Sequence, residues 1–159
     1  MSIKLEYATE KDLEKVSSLF LEILDSLKYY NDVAKNNERI KYSAFELSKK
    51  LLEDKYSIIV VHDKDTIVGF SFSRFDDYTI WLEWFGISPN YRGQNIGNMI
   101  LSKLEDSTRI RSCHKIWCDS RTENIASFKV LQRNGFILIT TLKNHWYDQD
   151  FFIWQKHLG

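Results

Sequence analysis

The chain has 159 residues, equal numbers of basic and acidic side chains (22 Lys+Arg, 22 Asp+Glu) and a hydrophobic fraction of 43%. That length suits one domain, residues 1–159, with a full core, and zero formal charge removes the attraction on which nucleic-acid binders rely. No apolar run nears the ~20 residues of a membrane span and Met1–Lys11 lacks a leader pattern, so a cytoplasmic protein with neither nucleic-acid nor membrane partners is expected.

In chain order, Ile3–Tyr7 alternates as a first strand. Thr9 with Asp12 marks a helix start, and Leu13, Val16, Leu19, Phe20, Ile23, Leu24 and Leu27 keep helical spacing until Tyr29-Tyr30-Asn31-Asp32 breaks it. Ser43-x-x-Glu46 is a capping box for a second helix, running to about Glu53. Tyr56–His62 and Thr66–Phe75 are strands joined by Asp63-Lys64-Asp65, and Asp76-Asp77 leads into the strand Thr79–Ile87. Gln94–Thr108 reads as a helix, Lys115–Asp119 as a strand and Glu123–Arg133 as a helix stopped by Asn134-Gly135. Strands near Phe136–Leu142 and Phe151–Gln155 close the chain. The order is β-α-α-β-β-β-α-β-α-β-β, an α/β chain with a mixed sheet.

Three of the six glycines (Gly86, Gly93, Gly97) and the single proline, Pro89, fall between Trp81 and Asn98. A strand that ends in a glycine-bearing loop and opens a helix is a phosphate-binding arrangement, because free backbone N–H groups and the positive end of the helix dipole face the loop. Arg92 adds a forked positive charge beside it. Neither the P-loop pattern nor the Rossmann glycine pattern is present.

Arg92-Gly93-Gln94-Asn95-Ile96-Gly97, followed by Asn98 and preceded by Ser88-Pro89-Asn90-Tyr91, resembles the pyrophosphate arm of the GNAT N-acetyltransferase superfamily. Asn95 departs from that pattern, standing where glycine is usual; asparagine tolerates unusual backbone angles. Asn124-Ile-Ala-Ser127 with Leu131 and Gly135-Phe136 resembles the family's second signature, and the order of elements matches from end to end. The resemblance implies a GNAT fold whose splayed central strands form the acyl-CoA cleft, with acetyl-CoA as cosubstrate and no metal. It also implies contacts to the cofactor from Phe85, Gly86, Ile87, Arg92 to Asn98, Asn124, Ser127 and Leu131. The basic run Arg109–Lys115 is either a contact to the CoA 3′-phosphate or solvated surface.

Acetylating an amine needs a base, because a free alkyl amine with a pKa near ~10 arrives charged. Glu83 is the first candidate, matching the carboxylate of polyamine acetyltransferases of similar sequence. Period two would put Trp81, Glu83 and Phe85 on one face, with the carboxylate among aromatic rings. Asp119 is the rival, at a strand end where ribosomal-protein N-terminal acetyltransferases carry a glutamate. The family's usual tyrosine acid is replaced by Leu131, so Tyr147 is the candidate to protonate the departing thiolate, while a thiolate with pKa near ~8.5 also leaves unaided. A Gly86-Ile87 backbone N–H would stabilise the oxyanion, and Gly86 would let the pantetheine approach. Tyr29, Tyr30, Trp81 and Glu83 are the acceptor-binding candidates.

The tryptophans are read as core, the histidines show no metal spacing, and Cys113-x4-Cys118 matches neither a zinc nor a redox pair. Direct N-acetyl transfer to a small cationic amine is the leading reading. A peptide N-terminus is its alternative, and a non-catalytic acyl-CoA sensor the reading from another class. Phe151, Phe152, Ile153 and Trp154, taken as an apolar edge strand, suggest a homodimer.

Overall fold

The computed structural model describes residues 2–159; Met1, the first residue of the segment read for a leader, lies outside them. Seven strands form one mixed sheet: β1 (Ile3–Tyr7), β2 (Ile58–Asp63), β3 (Thr66–Asp76), β4 (Thr79–Ile87), β5 (Lys115–Arg121), β6 (Ile137–Leu142) and β7 (Phe151–His157), ordered β1-β2-β3-β4-β5-β7-β6. All neighbours run antiparallel except β4 and β5. Helices α1 (Leu13–Ser26) and α3 (Ala44–Glu53) cover one face through Phe20, Leu24 and Leu47 against Phe70 and Phe72. Helices α4 (Ile96–Ile110) and α5 (Ile125–Arg133) cover the other, where Leu101, Leu104 and Leu131 meet Ile80, Leu82, Ile116 and Trp154. No helix among the described residues is long and apolar enough to cross a membrane.

One helix has no counterpart in the sequence reading. Asp32–Lys41 forms α2, making three helices before β2 rather than two. Only Ala34 and Glu38 of its ten residues are buried, so it shows no apolar stripe. The missed signal is its cap: Asn31 accepts from the Ala34 N–H at 2.9 Å, the asparagine that the pattern break had made a loop.

The apolar C-terminal edge is also displaced. Phe151 to Trp154 lie in β7, an interior strand paired on both sides, and the true edge is β6, which exposes Ile137, Leu138 and Ile139. Arg111 of the basic run caps the far end of α4 and pairs with Asp54 at 2.7 Å. At ~1.5 Å per residue, the 15-residue helix sets that end about 22 Å from the glycine loop, where Arg111 serves as half of a structural ion pair.

Candidate active site

The site follows from two irregularities in β4. Its ladder with β3 skips a residue: Phe72 faces Trp84 and Ser73 faces Leu82, leaving Glu83 opposite nothing. Such a bulge reverses the alternation of everything beyond it. Ile80 and Leu82 face α4, yet Trp84 packs with Phe20 and Tyr30 on the helix α1 side, and Phe85 turns to the α4 side. The expected face of Trp81, Glu83 and Phe85 is therefore corrected to Trp81, Glu83 and Trp84. The second irregularity is that β4 and β5 pair only from Ile80↔Ile116 to Leu82↔Cys118 and then diverge, opening a slot.

Two chambers meet at the divergence. A slot chamber is lined by Tyr29, Tyr30, Phe85, Cys118, Asp119, Asn124 and Ser127. A second cavity of ≈170 Å³ lies under α2 and the β6–β7 loop, lined among others by Glu38, Tyr42, Arg74, Trp81, Trp146 and Tyr147. Tyr30, Glu83, Trp84, Asp119 and Arg121 line both. Three of the five tryptophans read as core thus face a cavity, while Trp154 alone is fully buried.

Glu83 is already partnered. Its carboxylate accepts from Lys50 of α3 and, at 2.8 Å, from the Tyr42 hydroxyl, and its side chain is 7% exposed. Burial and the Glu83 charge push the Tyr42 hydroxyl far above its ordinary pKa, so it remains the donor. Asp119 is different. It is partly buried without a side-chain hydrogen bond among the described residues, and burial raises its carboxyl from 3.8 to about 7, against the opposing pull of Arg121. Arg121 is held by Gln149 at 3.1 Å and stacks 3.3 Å from the Tyr30 ring centroid.

Glu38, unnoticed in the sequence because α2 was unnoticed, is buried in the second cavity with its carboxyl pKa raised by desolvation. Tyr147 lines that same cavity rather than the slot, at a left-handed φ of 57°, and its carbonyl accepts from Asn31 at 2.7 Å. It thus faces the second cavity and not the slot.

The glycine loop is built as an anion cradle. Gly93 and Asn95 take left-handed φ values of 76° and 67°, so asparagine does what glycine would do there. The six backbone N–H groups from Gly93 to Asn98 have no acceptor among the described residues, and they open α4. Arg92 is oriented by the Ile87 carbonyl at 3.1 Å, and the exposed Gln94 amide reaches Asn90. Ile96 is core, and Gly97 is buried beside it, where a Cβ would touch Ile87 and Val130 at 3.6 Å. Asn98 joins Asn95 to Asn134, bracing the loop against α5.

Asn124 caps α5, accepting from the Ser127 N–H at 3.0 Å, and both line the slot. Packing accounts for two further residues. Leu131 is 1% exposed in the core and touches no chamber. Gly86 is required by packing, since a Cβ there would sit 2.8 Å from the Phe70 ring and 3.0 Å from Ile23.

Comparison with known proteins places the chain in a family. Residues 12–136 match the model of the Acetyltransferase (GNAT) family. An acetyltransferase of Yersinia pestis (strain Pestoides F) is 30% identical over 117 residues, 74% of this chain and 75% of that one. An acetyltransferase of Sodalis glossinidius is 29% identical over 77% of this chain and 78% of its own. Among solved structures, the PaiA N-acetyltransferase of Thermoplasma acidophilum in complex with coenzyme A superposes with a TM-score of 0.84 at 20% identity, covering 99% of this chain and 100% of that one. The ribosomal-protein-alanine N-acetyltransferase of Brucella melitensis gives 0.79 at 21%, covering 98% and 99%. The structural likenesses carry the fold; the sequence matches carry the family. The chain belongs to the GNAT family of N-acetyltransferases.

Proposed function

We propose that the protein transfers the acetyl group of acetyl-CoA directly to a primary amine, with Asp119 as the base. The observation that carries this is Asp119 itself, at the junction of both chambers with a pKa of about 7, where a carboxylate can both accept a proton and be regenerated at neutral pH. Supporting it, the unpaired N–H groups from Gly93 to Asn98 suit the pyrophosphate, and the slot past Asn124 suits the pantetheine. Acetyl-CoA supplies the activated acyl group; the protein orients it and removes the amine proton.

Beyond Leu82 the β5-facing edge of β4 is unpaired, a source of backbone donors for the carbonyl oxygen. Burial pushes the Tyr30 hydroxyl well above its ordinary pKa, so it stays protonated as a donor at the slot. Cys118 also lines the slot, but burial raises its thiol far above the usual range, which favours direct transfer over a covalent thioester on the enzyme. Glu83 takes a supporting role, its charge matched by Lys50.

Moving the base from Glu83 to Asp119 weakens the polyamine likeness on which a small cationic amine rested and strengthens the peptide N-terminus as a second reading. The free thiols Cys113 and Cys118 fit a cytoplasmic location. Thiol release from acetyl-CoA, followed over a panel of amines, tests the assignment. Release that depends on amine and is lost in Asp119→Asn supports it. Acetyl-CoA binding with no release for any amine points to a sensor instead.

A further inference from the structure

The second cavity carries more charge than proton removal requires. With Glu83 matched by Lys50, its remaining anions are Glu38 and Asp119, and three cations, Lys41, Arg74 and Arg121, line the same walls. Glu38 is 9% exposed and, although Trp84 and Tyr147 lie beside its carboxyl, its Oε2 has no hydrogen-bond partner among the described residues; Arg121 is 6% exposed and its Nη2 has none there either. Buried polar atoms are almost always satisfied, so an unmatched acceptor and an unmatched donor in one cavity mark it as shaped for a ligand that supplies both.

The charges are also layered. Glu38 and Asp119 lie inside with one buried cation, Arg121, whereas Lys41 and Arg74 are exposed residues at the rim. Neither rim cation forms a salt bridge among the described residues. Each is steadied by a ring instead, Lys41 5.7 Å from the Tyr42 centroid and Arg74 6.0 Å from that of Trp81. A diamine would bring its second positive charge to a cationic rim. The volume, ≈170 Å³, is close to the ~150 Å³ that holds one benzene-sized molecule, so the occupant is small.

We propose that the acceptor is a small aminocarboxylate, its ammonium received by Glu38 beside Asp119 and its carboxylate held by Arg121 together with the rim cations Arg74 and Lys41. Glu38 is then the residue that reads the amine before Asp119 takes its proton, and the cations read the acid. This rests on the amine-acetylation reading above and names its substrate class.

The test uses aminocarboxylates from glycine to 6-aminohexanoate, each with its matched primary amide and α,ω-diamine, and one tripeptide amide. Thiol release is measured with acetyl-CoA, and acceptor binding by calorimetry with and without CoA. At the best chain length the aminocarboxylate should exceed its amide and diamine at least tenfold in kcat/KM and affinity. Arg74→Glu should raise KM for the aminocarboxylate and lower it for the diamine, an inversion that a merely structural arginine would not produce. Glu38→Gln should raise KM for every amine and leave kcat within about threefold. Equal or better binding by the amide, the diamine or the tripeptide amide overturns the proposal, as does an unchanged order in Arg74→Glu. Loss of acetyl-CoA binding would instead sink the acetylation reading, while calorimetry on the free protein still decides the charge preference.

Discussion

Lys50 of α3 reaches the carboxylate of Glu83 at the residue where β4 bulges, with Tyr42 donating to the other oxygen. The pair ties the helical layer to the strand at the point where it leaves β5. Both side chains are largely buried, at 15% and 7% exposure, so breaking one side strands a charge.

Lys50→Met should therefore lower stability by about 3 kcal/mol, read by urea unfolding, and Lys50→Met/Glu83→Leu should recover most of it. Glu83→Gln should keep kcat within about tenfold. A loss of 10³ in kcat for Glu83→Gln, with CoA affinity intact, would return the base to Glu83.

Asp119→Asn should cut turnover at neutral pH by about 10²–10⁴. In the native protein the rate should rise with pH through about 7, and that limb should flatten in the mutant. Stability should move the opposite way. The folded carboxyl holds its proton up to about 7 while the unfolded one loses it near 3.8, so the native fold weakens as pH rises between those values and carries the full penalty above them. Asp119→Asn should accordingly stabilise the protein at pH 8, by at most about 4 kcal/mol, and change little at pH 4. An equal melting shift at both pH values would refute the raised pKa.

Gly86→Ala should destabilise by about 1–3 kcal/mol, because its Cβ has no room beside Phe70. Phe70→Leu on that background should recover part of the loss. If Gly86→Ala leaves the melting temperature unchanged but raises KM for acetyl-CoA, the glycine serves the ligand after all.

The loop gives a matched pair. Gly97→Val should abolish the thermal stabilisation by CoA and also cost the free protein about 1–3 kcal/mol, since a Cβ there already touches Ile87 and Val130 at 3.6 Å and the γ-methyls must displace them. Asn95→Gly relieves a left-handed residue but removes the bridge to Asn98, so stability should change by less than about 1 kcal/mol and the CoA shift should persist. An unaltered CoA shift in Gly97→Val would remove the pyrophosphate from this loop.

The parts legible from the sequence are those set by neighbours along the chain. Helical spacing from Leu13 to Leu27, the Ser43 cap, the Asp63–Asp65 turn and the Gly93–Gly97 loop each depend on residues a few positions apart. Local rules fix them. Helix α2 escaped because its stability comes from a cap and two buried side chains, not a stripe. What only the tertiary structure decided is which carboxylate is left unpaired at the divergence of β4 and β5. Glu83 and Asp119 look alike as letters on strands, and alternation even favours Glu83. One bulged residue turns Glu83 toward Lys50 and Tyr42, and the parting of β4 from β5 leaves Asp119 between two chambers with no side-chain hydrogen bond among the described residues. The charge state of a carboxylate depends on burial and on partners 33 to 41 residues away in sequence, which no local pattern encodes.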